Sequence, residues 1–376
     1  MPLPTASYMK PNDIIGAVPD SNPDEITALW KKVCPSRTIP KQSSEGSSSL
    51  NATSPTISPR SSSFSKIILN SRGIFINGMN SVMPSAFVHF GTSAPQESYR
   101  NLDGLGNANI WVEKNSSEVK RIVAQYSRMR GLGLCEEEYA TLAKEVFLLR
   151  EWTLLEVPTD RQWQAERMLQ LVCPPKENVL WRVPPILDCN AAPNAQWSWD
   201  IRPDCAYWLS LNSFNSEYRW YILNCTFVQD SITCPYFTVE FKRDGQSESV
   251  AERQVAAAGS LALFNRWCLY SGARKAKPSL PDDTSNIRHY TLTYLGSKFV
   301  FWVLRPTLNG SQWNGCTMTR LFGADCTNEY GVRQLIDWIN EIHRWGLSEH
   351  GPRCERDIKA ILRIGGVQTS GILDLA

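Results

Sequence analysis

The sequence predicts an α/β fold, a central mixed β-sheet flanked by helices, and three observations carry that prediction. Short apolar, strand-like runs recur between residues 179 and 304. One long helical stretch interrupts them between Lys242 and His289, and further helical stripes lie before and after them. The resulting order of helix, several strands, helix and two strands suits helices packed on a sheet. A chain of 376 residues, 42% hydrophobic with 14 Trp, can fill the core of one large or two ordinary domains.

The formal net charge of +2 excludes a global attraction to nucleic acid or anionic membrane, so any such contact must come from a local patch. The 11 Cys are scattered singly, without a Cys-x-x-Cys pair. None of the four His stands at zinc-ligand spacing from a Cys pair, so the cysteines read as reduced, mostly buried thiols. The N-terminus has no basic segment followed by an apolar one, and no run of about 18 apolar residues occurs. The expectation is an intracellular protein, nuclear or cytoplasmic, neither secreted nor in a membrane.

In chain order, residues 1–65 are expected to form a disordered Ser/Pro-rich arm. Within Gln42–Ser65, 11 of 24 residues are Ser, too few apolar groups to bury. In Asp24–Val33, Ile26, Leu29, Trp30 and Val33 share a helical stripe, which reads as a marginal turn or as a docking helix for a protein partner. Two apolar pieces follow, Ile67–Ile76 and Ala86–Phe90, with no role evident. Helices are expected over Glu118–Met129 and Glu136–Leu155, separated by Gly131 and Gly133. Residues 66–158 are thus read as a helical extension packed on the core, in preference to a separate lobe.

A third helix is expected over Thr159–Val172, capped at Thr159 or Asp160 and stopped by Pro174 and Pro175, with Glu166 at the margin of its apolar stripe. Strands are expected at Val179–Val183, Cys205–Leu211, Tyr218–Phe227, Tyr236–Lys242, His289–Leu295 and Phe299–Leu304. The helix between the fourth and fifth, about Glu248–Leu269, carries the small residues Ala256-Ala257-Ala258-Gly259-Ser260, which allow close approach to a sheet. After Pro306 the sequence reads as a weakly ordered Gly/Asn-containing segment. A helix over Asn328–Trp345, the short apolar piece Ile358–Ile364 and a loose C-terminal tail follow, the core being taken as 159–350 and the tail as 351–376.

The chemistry-bearing stretch is Cys234–Arg243. Phe237, Val239 and Phe241 alternate with Thr238, Glu240 and Lys242, giving one apolar and one polar strand face. Glu240 and Lys242 therefore point the same way, either as a site for metal-dependent phosphodiester chemistry or as an ordinary solvated ion pair. Asp204 precedes the strand Cys205–Leu211, and Gln254 shares a helix line with Ala258, Leu261 and Asn265. Arg243, Arg253, Arg266, Arg274, Lys275 and Lys277 cluster in sequence with Trp267 and Tyr270. That cluster reads as a surface that tracks a phosphate backbone and stacks bases, or as a solvated helix end and basic loop.

The runs Arg202-Pro203-Asp204, Pro235-Tyr236-Phe237-Thr238-Val239-Glu240-Phe241-Lys242 and Ala251 to Trp267 resemble the fungal nuclease-like branch of the PD-(D/E)XK superfamily, over about residues 159–305. The resemblance implies a restriction-endonuclease-like core, ordered helix, three strands, helix, strand. It implies that Asp204 and Glu240 hold Mg²⁺ or Mn²⁺, that Lys242 orients or activates water, and that Gln254 is the polar residue of the following helix. Glu166 matches the acidic residue of the preceding helix and is implied as a third metal ligand. The implied activity is hydrolysis of DNA or RNA phosphodiesters. The alternative is an inactive nuclease-like scaffold that acts as a protein or nucleic-acid interaction module. One departure from the pattern is the extra run Tyr218–Phe227 between Asp204 and Glu240.

Overall fold

Eight strands form one mixed sheet, and its order explains how residues distant in sequence come together. The structure, a computed structural model, describes residues 57–78, 99–106, 108–151, 163–169, 180–188 and 197–369. The strands are β1 (Ile74–Asn77), β2 (Ala165–Met168), β3 (Cys205–Ser210), β4 (Val228–Gln229), β5 (Ile232–Lys242), β6 (His289–Leu295), β7 (Lys298–Asn309) and β8 (Gln312–Asp325). The helices are α1 (Ser116–Leu132), α2 (Glu136–Val146), α3 (Glu248–Ala276), α4 (Glu329–Trp345) and α5 (Gly351–Ile364). The sheet runs β1-β8-β7-β6-β5-β3-β2, with β4 also paired to β5. The β1–β8 and β5–β6 pairs are parallel and the others antiparallel. A parallel pair needs a crossover, and α3 supplies it between β5 and β6.

All eleven residues of β5 are buried. The alternation of Phe237, Val239 and Phe241 with Thr238, Glu240 and Lys242 therefore distinguishes two covered faces, and the polar face is not solvated. On that polar face lies α3. Its small-residue run lets the helix settle onto the sheet: a β-carbon on Gly259 would stand 2.8 Å from a Leu304 methyl and 2.9 Å from a Thr291 methyl. The apolar face is covered by α4, whose Trp338 stacks on Phe301 at 5.4 Å between ring centres and whose His343 meets Tyr207 edge-on at 4.4 Å.

Residues 99–151 add to the α4 side. The Asn340 side chain accepts from the Val112 amide at 2.8 Å and donates to its carbonyl at 2.9 Å, and the Tyr99 hydroxyl donates to Glu341 at 2.7 Å. Upstream of them, Ile74–Asn77 of the first apolar piece becomes the edge strand β1. Residues 49–376 group into one unit; the other, 1–48, lies outside the described residues. Also outside are Asp24–Val33, Ala86–Phe90 and both ends of the Thr159–Val172 stretch.

Several sequence expectations are corrected. The described part of the expected helix Thr159–Val172 is strand β2, because Ala165–Met168 pairs with β3 and long-range pairing overrides a weak helical stripe. Tyr218–Phe227 is not a strand: Arg219–Asn224 is a 3₁₀ turn that buries Ile222 and exposes Trp220 and Leu223, a spacing of three. Residues 180–183 pair with no strand. Asn265 holds them instead, accepting from the Arg182 amide at 2.8 Å and donating to its carbonyl at 2.9 Å. The segment read as weakly ordered after Pro306 is β8, a fourteen-residue strand that returns from β7 through a turn at Gly310, where φ is +60°. The tail beyond 350 begins as helix α5, with Cys354, Ile358 and Leu362 fully buried.

Candidate functional site

At the C-terminal end of β5 the antiparallel pairing with β3 sets Cys205 opposite Val239, so Asp204 lies one position further, opposite Glu240. Residues opposite each other share a sheet face, which puts both carboxylates on the side covered by α3. Each is tied to the other's strand. Asp204 Oδ2 accepts the Phe241 amide at 2.7 Å, and the Glu240 carboxylate accepts the backbone N–H of Asp204. The Lys242 ammonium donates to Glu240 Oε1 at 2.9 Å and to the carbonyl of Phe241. Asp204 is half-buried, whereas Glu240 and Lys242 are only 6% and 9% exposed.

Burial is the main reason that the Glu240 carboxyl is pushed up to about 7. The charge of Asp204 adds to the rise, and Lys242 opposes it without cancelling it.

Gln254 approaches from α3. That helix starts just past β5 and runs back over it. Gln254 lies six residues into the helix, about 9 Å along its axis. Glu240 lies two residues before the strand's end, about 7 Å back. One helical turn further on, Ala258 lines a small cavity with Thr238, Ala206 and Trp208, so this helix line faces the polar strand face. The Gln254 Oε1 is buried and has no hydrogen-bond partner among the described residues.

Glu166 is not brought to this group. In β2 it pairs with Trp208, four residues along β3 from Asp204, or about 13 Å. There it accepts a hydrogen bond from Ser210, and burial raises its carboxyl above the ordinary value. The residue that sequence reasoning missed is Glu136, at the first position of α2. Its Oε1 stands 3.9 Å from the Lys242 ammonium, and its Oε2 accepts the Arg243 amide at 3.2 Å. Its only sequence signal was the acidic first turn Glu136-Glu137-Glu138, which reads equally as helix-dipole compensation.

The basic cluster expected to contact nucleic acid does not form one surface. Arg266 is buried and ion-paired to Asp357 at 2.7 Å, Arg253 donates to the Pro59 carbonyl at 2.6 Å, and Arg274 donates to the Leu280 carbonyl. The Tyr270 hydroxyl donates to Asp282 at 3.0 Å. Arg243, Lys275 and Lys277 stay exposed.

Two carboxylates and an amide oxygen are hard donors of the kind Mg²⁺ accepts while it keeps several waters. Among the described residues no group of three or more His, Cys, Asp and Glu side chains is arranged to hold a metal ion. No helix among the described residues is long and apolar enough to cross a membrane. Compared with family models, curated proteins and solved structures, the chain matches none.

Proposed function

We propose that this chain is a divalent-cation-dependent phosphodiester hydrolase acting on DNA or RNA, with a restriction-endonuclease-like core. The observation that carries the reading is the opposition of Asp204 and Glu240 across β3 and β5, with the Lys242 ammonium 2.9 Å from Glu240. The β5–α3–β6 crossover, with Gln254 on its helix, adds support.

Asp204, Glu240 and the Gln254 oxygen would hold Mg²⁺ or Mn²⁺. When bound, the ion would supply Lewis acidity toward a phosphoryl oxygen and acidify a coordinated water. Lys242 would orient the attacking water and offset negative charge developing on the phosphate. With a cation in place Glu240 would stay ionised at neutral pH and hold Lys242 in position.

A second reading, an inactive nuclease-like scaffold for protein or nucleic-acid binding, is favoured by the near-complete burial of the Glu240–Lys242 pair. Cleavage assays on labelled single- and double-stranded DNA and RNA, in Mg²⁺ and in Mn²⁺, separate the two. Hydrolysis should require the metal and fall at least a hundredfold in Asp204→Asn, which keeps an oxygen for the Phe241 amide, and in Lys242→Ala. A folded protein that cleaves none of these substrates would leave the scaffold reading.

A further inference from the structure

The opposite end of β5 holds a second unusual group. The pairing with β3 slips between Trp208↔Pro235 and Leu209↔Thr233, which leaves Cys234 as the extra residue of a β-bulge. Its φ is +45°, a left-handed conformation that among the described residues only one other non-glycine, Asp230, adopts. Strained backbone of this kind persists where surrounding structure over-determines it, and it concentrates at functional sites.

The surroundings of Cys234 are specific. Thr233 Oγ1, which donates to the Phe227 carbonyl at 2.7 Å, lies 3.5 Å from its sulfur, and Cys354, on α5, comes from the other side. His350 Nε2 lies 3.4 Å from the Cys354 sulfur and 3.3 Å from the Cys234 carbonyl oxygen. Arg266 reaches in from α3: its Nη2 pairs with Asp357 at 2.7 Å, its Nη1 is buried without a hydrogen-bond partner, and its charge acts on both sulfurs. The two thiols are unequal. The hydrogen bond from Cys354 leads in drawing the Cys234 thiol down to about 7, with help from Thr233 and Arg266 and against burial. Burial leads in pushing Cys354 well above its ordinary value. Both thiols are buried, Cys234 at 7% and Cys354 at 0% residue exposure.

We propose that Cys234 and Cys354 are a peroxide-reactive dithiol, Cys234 the attacking sulfur and Cys354 the resolving one. In the first step the Cys234 thiolate attacks one oxygen of hydrogen peroxide. An S–O bond forms, the O–O bond breaks, and the departing hydroxide takes up a proton and leaves as water. The Cys354 sulfur then attacks the Cys234 sulfenic acid. The S–S bond forms, the S–O bond breaks, and the departing hydroxide leaves as a second water with the Cys354 proton. Two thiols are oxidised to one disulfide and one peroxide is reduced to two waters. The product ties β5, the strand of Glu240 and Lys242, to α5.

The test is peptide mapping by mass spectrometry of the full reduced chain after graded hydrogen peroxide and alkylation of remaining thiols. The exposed Cys135 and the buried Cys316 serve as internal references. The expected result is a Cys234–Cys354 linked peptide at peroxide levels at least tenfold below those that oxidise either reference. Cys354→Ser should stop at a Cys234 sulfenic acid that dimedone captures. Oxidation of Cys135 before Cys234, or oxidised Cys234 beside an unlinked Cys354 in the unsubstituted chain, would overturn the proposal.

Discussion

Two charge clusters border β5, and they cover their buried ions differently. Around Asp357, Arg266 sits at 2.7 Å and Arg356 at 2.9 Å, two guanidinium groups on one fully buried carboxylate. Arg356 is itself paired to Asp283 at 2.7 Å, whereas around Lys242 carboxylates outnumber the cation. Glu240 at 2.9 Å and Glu136 at 3.9 Å share its ammonium, and Asp204 lies opposite Glu240. A buried ion is tolerated only when partners and hydrogen bonds replace its lost hydration. Asp357 has that replacement from its own chain, and the cluster works as a rivet between α3 and α5. At Glu240 burial outweighs what Lys242 and the Asp204 amide offset, so its carboxyl is pushed up to about 7. Protonation near neutral pH relieves that burial, and a bound cation would relieve it in the same way.

The largest expected effect lies at the rivet. Asp357→Ala strands Arg266 in the interior and should cost about 3–5 kcal/mol in urea unfolding. Replacing both partners, Arg266→Met with Asp357→Leu, should recover most of that loss. A cost below about 1 kcal/mol for the single substitution would mean that solvent reaches Arg266, and the contrast between the clusters would collapse.

The next effect belongs to Glu240 and depends on pH. Its carboxyl rises from an ordinary 4.5 to about 7 on folding. The folded state thus holds the proton more tightly, so the associated stability is complete below about pH 4.5 and is lost as pH climbs through 7. The shift corresponds to about 3 kcal/mol. The stability difference between the unsubstituted chain and Glu240→Gln should therefore fall by roughly that amount across this window. Asp337, raised by burial to about 6, titrates within the window in both proteins and cancels in the difference. Millimolar Mg²⁺ added above pH 7 should restore stability to the unsubstituted chain and not to the variant. A pH-independent difference would remove the case for uncompensated charge.

How much of this was legible in sequence follows from which interactions are local. The strand Cys234–Arg243, the helix from Glu248 and the stripe of Asn328–Trp345 carry strong periodicity and stand close to where it puts them. Glu240, Lys242 and Gln254 sit on those elements, and Asp204 comes opposite Glu240 through the β3–β5 pairing. β2 and β8 were not legible as strands. Ala165–Met168 has four residues and a helical spacing, and β8 spreads Trp313, Cys316, Met318, Leu321 and Phe322 over fourteen residues whose register with β7 shifts twice. Long-range pairing fixes both, and a single stretch of sequence does not record it. The polar face of β5 was misjudged for a related reason: alternation records which residues share a face, not whether a helix covers it. Glu136 escaped notice because it arrives from another element, more than a hundred residues upstream in the chain.

The smallest expected effect tests the contrast at a neutral atom. The Gln254 Oε1 is buried and unpartnered, which costs on the order of 1 kcal/mol, so Gln254→Leu should stabilise the metal-free chain by about that much. A residue kept at such a cost for packing alone would show the same gain with or without Mg²⁺. If the oxygen is a ligand, the gain should vanish in saturating Mg²⁺, because the unsubstituted chain then recovers stability that the leucine variant cannot. Paired thermal denaturation curves with and without the ion measure that difference directly. A gain of equal size in both conditions would place Gln254 outside the reach of the proposed cation.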